Sequence, residues 1–166
     1  MKRAFTLIEM MIVIAVIAIL LTVTLKFGNS RILDLKNQSS KEEFTSFYNQ
    51  LYSQNLISNY QNAQKYNFME IYLSTGIGYS YDGNKDIIYN QISKDINIIG
   101  LNISGKQSDK VKLKLLPFKL GCDIINTNTN LTGDSLQFNI LVGKTQKKYC
   151  FEIGSQNCKL IQVNCE

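Results

Sequence analysis

Hydrophobic and polar positions divide the chain into a greasy head and a polar body. From Met10 to Leu25 sixteen consecutive residues carry no charge, and the apolar stretch reaches back to Phe5. Phe5 to Leu25 holds no Pro or Gly, so nothing in it breaks a helix. At about 1.5 Å per residue such a helix spans roughly 31 Å, close to the hydrocarbon thickness of a bilayer. Further on, Phe44, Phe47, Tyr48 and Leu51 recur at i, i+3, i+4 and i+7, the stripe of an amphipathic helix. The pattern predicts one long helix to about Asn59, loosened near Gly28-Asn29-Ser30, with its second half laid on a sheet.

After residue 60 the period changes from helical to alternating. Phe68, Ile71, Tyr72 and Leu73 open an apolar stretch. Tyr79-Ser80-Tyr81 and Ile87-Ile88-Tyr89 flank Asp82-Gly83-Asn84, a hairpin signal. Ile96 to Ile103 and Val111 to Leu116 read as further short strands. From Ser135 to Val142, the residues Leu136, Phe138, Ile140 and Val142 alternate with their neighbours, as in a half-buried strand. Tyr149, Phe151 and Ile153 alternate likewise, turn through residues 154–157 and return along Cys158 to Val163. A four-residue loop there would set Cys150 opposite Ile161. The expected fold class is α+β: a long N-terminal hydrophobic helix followed by an antiparallel β-sheet domain. The expected divisions are 1–4, a leader; 5–25, a transmembrane helix; 26–59, its amphipathic continuation; and 60–166, the sheet domain.

Composition narrows the chemistry. The chain has no histidine, which removes Ser-His and Cys-His nucleophile pairs and the commonest metal ligand. The acidic residues Asp82, Asp86, Asp95, Asp109, Asp123 and Asp134 are scattered, and no spacing pairs them for acid–base work. Asp82 to Asp86 lacks the spacing and the closing Glu of a calcium loop. Gly76-Ile77-Gly78 lacks the third Gly or Lys-Ser/Thr of a phosphate loop and reads as a turn. No catalytic residue, cofactor site or metal site is assigned, and an enzyme is not expected. Cys122, Cys150, Cys158 and Cys165 are an even set late in the chain without a CxxC. Disulfides are the natural reading in a body that crosses a membrane, and zinc is the rival. Three pairings are open.

The formal net charge is +5. Lys106, Lys110, Lys112, Lys114 and Lys119 form one basic run, and Lys144, Lys147 and Lys148 another. Each reads as a solvated strand face or, more sharply, as a DNA-contacting patch. Both runs on one exposed face would favour DNA.

One residue does not fit a plain membrane anchor. Glu9 lies near the edge of the apolar stretch, where a carboxylate usually has a partner or sits at headgroup level. Two cations, Lys2 and Arg3, precede Ala4-Phe5-Thr6-Leu7-Ile8-Glu9. Together they resemble the class III signal of type IV prepilins and type II secretion pseudopilins. The resemblance covers residues 2 to 9, and the helix extends it to about residue 25. It implies cleavage between Ala4 and Phe5 by a prepilin peptidase, N-methylation of Phe5, and a role for Glu9 in assembly, attracting the terminal amine of a neighbouring subunit. It implies as partners other pilin or pseudopilin subunits, the peptidase and an inner-membrane assembly platform. The chain would cross the bacterial inner membrane once, with its C-terminal domain outside the cytoplasm, before entering a filament. Two features depart from the pattern: Ala4 stands where Gly is usual, and the helix lacks the Pro of many major pilins. Together with the cysteines, the missing Pro leans toward a minor subunit. A helix followed by many hairpins is reminiscent of small pseudopilins near a filament tip. The alternatives are a DNA-binding minor pilin of a competence system and a plain single-pass membrane protein.

Overall fold

The computed structural model describes residues 7–61, 69–81, 88–89, 95–115 and 121–165. Helix α1 runs Leu7–Gln61. Eleven strands follow: β1 Met69–Leu73, β2 Ile77–Tyr81, β3 Ile88–Tyr89, β4 Ile96–Ile103, β5 Lys106–Gln107, β6 Val111–Leu115, β7 Cys122–Asn126, β8 Thr132–Gly133, β9 Ser135–Val142, β10 Lys147–Gly154 and β11 Leu160–Val163. The α+β layout expected from the sequence is the one observed, with two antiparallel sheets where one was expected. The first is ordered β3-β2-β1-β6-β7-β8, the second β11-β10-β9-β4-β5. The helix is continuous through Gly28: one glycine costs about 1 kcal/mol, which a long run of hydrogen-bonded turns absorbs.

The chain divides into two compact units, Met1–Gln38 and Ser39–Glu166. In the second unit the predicted stripe does its expected work. Phe44, Tyr48 and Leu51 are buried, and Phe47 packs against the same core. Phe44 meets Phe138 edge-on at 6.0 Å and Phe151 at 5.8 Å, while Phe138 and Phe151 stack on each other at 5.8 Å. Both sheets feed this core, through Ile71, Leu113 and Ile124 from the first and Leu136, Ile140 and Ile153 from the second. Alternation carries the rest: β6 buries Val111, Leu113 and Leu115 and half-exposes Lys112 and Lys114.

Between β1 and β2 the chain turns at Ser74–Gly76, while Gly78 lies inside β2. The β2–β3 pairing fits the expected hairpin, whose Asp82-Gly83-Asn84 turn lies outside the described residues. The β10–β11 hairpin differs from expectation. Ile153 pairs with Leu160, so residues 154–159 make the connection and Cys150 faces Val163, not Ile161. Cys158 causes the extra length. It adopts φ 50°, and its N–H donates to the Gly154 carbonyl at 2.9 Å, closing a wider turn than four residues allow.

Candidate functional site

The first turns of α1 expose apolar side chains on every side. Leu7 is 80% exposed, and Ile8, Met11, Ile14, Leu20 and Leu25 are all more than half exposed. A helix apolar all round, with no apolar stripe turned to a core, is the pattern of a membrane or packed-filament segment and not of a water-facing one. It is the one helix among the described residues long and apolar enough to cross a membrane, and its most apolar stretch has no buried residue. From Leu7 to Leu25 it covers roughly 28 Å at about 1.5 Å per residue. Its two hydroxyls are satisfied within the helix. Thr22 Oγ1 donates to the Ile19 carbonyl at 2.8 Å, and Thr24 Oγ1 donates to that of Leu20 at 2.7 Å. Neither hydroxyl therefore needs water. Lys26, Arg31, Asp34 and Lys36 follow at once, all exposed, and end the apolar run.

Glu9 is exposed in the first turn of α1, where the helix dipole favours a carboxylate. Between Leu7 and Leu25 it is the only charged residue. Ala4 and Phe5, the expected cleavage and methylation positions, lie outside the described residues.

The four cysteines form two bridges. Cys122 on β7 is joined to Cys158 in the β10–β11 turn, with Cα atoms 5.8 Å apart. Cys150 on β10 is joined to Cys165 beyond β11, at 5.3 Å. The first bridge links the two sheets, and the second fastens the segment after β11 to β10. Beside the first, the Cys122 N–H donates to the Ser155 carbonyl at 2.9 Å. Gly121, at φ 112°, allows this approach: a Cβ there would lie 2.5 Å from the Ser155 carbonyl oxygen.

Sequence reasoning missed the helix anchor of this turn. Tyr48 Oη donates to the Cys158 carbonyl at 2.8 Å, in the interior. Burial pushes the Tyr48 hydroxyl well above the usual phenol range, and nearby Tyr52 adds to the shift. The stripe gave the burial of Tyr48 but not the partner of its hydroxyl.

The basic residues are divided. Lys106 is exposed on β5, in the second sheet, and Lys110 is exposed just before β6. Lys112 and Lys114 lie on β6, in the first sheet, and Lys119 lies outside the described residues. Lys144, Lys147 and Lys148 occupy the β9–β10 hairpin of the second sheet. Lys112 Nζ pairs with Glu70 Oε1 at 3.0 Å, and Glu70 also accepts from Tyr72 Oη and Ser80 Oγ. Lys114 stands in register between Glu70 and Asp123. Lys112 and Lys114 are thus interleaved with carboxylates. The one signal for that cluster was Glu70 inside the otherwise apolar and aromatic Met69-Glu70-Ile71-Tyr72-Leu73. Among the described residues no group of three or more His, Cys, Asp or Glu is placed to hold a metal ion.

Comparison with known proteins bears on the N-terminal segment. A family model described as the prokaryotic N-terminal methylation motif matches residues 1–25. No curated protein and no solved structure matches the chain. The matched segment takes in Glu9 and the uncovered apolar turns, and it supports a membrane-anchored subunit of pilin or pseudopilin type, a structural class. The chain therefore carries the class III prepilin signal of type IV pilins and pseudopilins on a helix that leads into an α+β body.

Proposed function

We propose that the chain is a structural subunit, a minor pilin or pseudopilin, of a type IV pilus or a type II secretion filament. One observation carries the reading: an uncovered apolar helix with a single carboxylate in its first turn, inside a matched methylation motif. In this reading a prepilin peptidase cuts between Ala4 and Phe5 on the cytoplasmic side and methylates the Phe5 amine. The helix first anchors the subunit in the inner membrane, with the body outside the cytoplasm. It then leaves lipid for the packed centre of a filament, an exchange of one apolar environment for another. Glu9 and the terminal ammonium of a neighbouring Phe5 are opposite charges in a low-dielectric place, so their pairing offsets the desolvation of each.

Intact-mass and N-terminal peptide mass spectrometry, in cells with and without the peptidase, tests this. The expected outcome is a mature chain starting at methylated Phe5 only where the peptidase is present. A chain starting at Met1 in both would leave a plain single-pass anchor. A DNA-binding minor pilin is the weaker alternative, because the lysines that motivate it are divided between two sheets and Lys112 is held by Glu70.

A further inference from the structure

The second sheet has one face in the core and one outside, and the outer face carries a groove of about 420 Å³. A bulge in β4 opens it. The β4–β9 register shifts between Ile99 and Asn102, with Gly100 at φ 63°. A Cβ on Gly100 would stand 3.0 Å from Asn139 Nδ2, so the bulge needs glycine both for its backbone and for its space. Register then lines up Asn102, Gln137 and Glu152 across β4, β9 and β10, with Asn139 and Lys148 beside them in the lining. These side chains stand on strands, which hold them more firmly than loops would. Asn102 Oδ1 is buried and has no hydrogen-bond partner among the described residues. An unpaired acceptor is unfavourable, so a ligand hydroxyl that displaces the side chains covering it gains a hydrogen bond.

We propose that this groove binds a neutral saccharide. The lining offers amides that both donate and accept, one carboxylate that accepts and one ammonium that donates. That mixture suits hydroxyl groups, which also do both. The charges of Lys148 and Glu152 cancel, so the groove has no attraction for a polyanion. The row crosses the strands at steps of about 4.8 Å, close to the length of one sugar ring. A peptide would instead seek the backbone of β11, the edge strand whose Val163 lines one side of the groove, so the neutral peptide in the test separates the two classes.

The test uses the full chain in phosphocholine micelles, since maltoside detergents would compete for the groove. Maltohexaose, cellohexaose and chitohexaose are titrated while the side-chain amide signals of Asn102, Gln137 and Asn139 are followed by NMR. A hyaluronan hexasaccharide and an unstructured neutral peptide serve as competitors of the wrong class. The expected result is saturable movement of those signals with at least one neutral hexasaccharide, at a Kd of about 1 mM or tighter. Gln137→Ala and Glu152→Gln should each weaken it at least tenfold. Gln137 is exposed, so its variant keeps the fold, checked by circular dichroism and by both disulfides. Saturation by no neutral saccharide, binding that survives both substitutions, or a response to the acidic sugar or the peptide alone would overturn the proposal.

Discussion

Glu9 and Tyr48 are polar groups in apolar surroundings, and each is interpretable through its partner. For Glu9 the proposed partner is an amine on another copy. Glu9→Gln keeps the shape and removes the charge. Insertion into the membrane should be unchanged, while recovery of the subunit in sheared filaments should fall at least tenfold, because losing one member of a desolvated pair leaves the other charge unmatched. Fractionation and immunoblotting of membranes and filaments would measure it. Tyr48 has its partner in the same chain, the Cys158 carbonyl. Tyr48→Phe should cost about 1–2 kcal/mol at neutral pH. Its pH dependence has a definite sign. The folded hydroxyl holds its proton above the unfolded value, so its stabilisation is complete below about pH 10 and is lost as pH rises beyond it. Urea midpoints in micelles should therefore fall from pH 9 to pH 11 more steeply for the native chain than for Tyr48→Phe. Equal slopes would show that the hydroxyl is not protected.

At the scale of elements, α1 does two jobs with two patterns. Its first part is apolar and exposed on all sides, and its second part presents the stripe of Phe44, Tyr48 and Leu51. Period alone separates them, because a membrane segment needs apolar side chains all round and a docking segment needs them on one face. The stripe is legible for that reason, and Phe44 is its centre. Phe44→Ala would remove the ring packed against both Phe138 and Phe151, and should cost about 3–5 kcal/mol in chemical denaturation while leaving membrane insertion intact. A cost below about 1 kcal/mol would mean the helix is not docked on this core. The strands were legible by alternation, the β10–β11 connection less so. Loop length depends on Cys158 adopting φ 50°, which residue identity does not announce.

Over the whole molecule, two bridges close chain segments of 36 and 15 residues. In the chain-entropy account each adds about 3–4 kcal/mol by restricting the unfolded state. The Cys122→Ser, Cys158→Ser double variant should lose about 2–4 kcal/mol in urea unfolding. Thiol labelling of the denatured, unreduced native chain should find no free cysteine. Labelling of all four would instead place the folded domain in a reducing compartment.

The sequence by itself determined what depends on local order: the membrane-length run, the motif that opens it, the helical stripe and the alternating strands. Each is a property of neighbours along the chain, fixed by a period of 3.6 or 2. The tertiary structure alone decided how distant pieces meet. It divided the strands into two sheets, chose among three cysteine pairings, gave Lys112 to Glu70 and set the Tyr48 hydroxyl on Cys158. The pairing of Cys122 with Cys158 shows the reason. It needs β7 in one sheet and the β10–β11 turn of the other brought to a Cα separation of 5.8 Å, and no periodicity encodes a distance between residues so far apart in sequence.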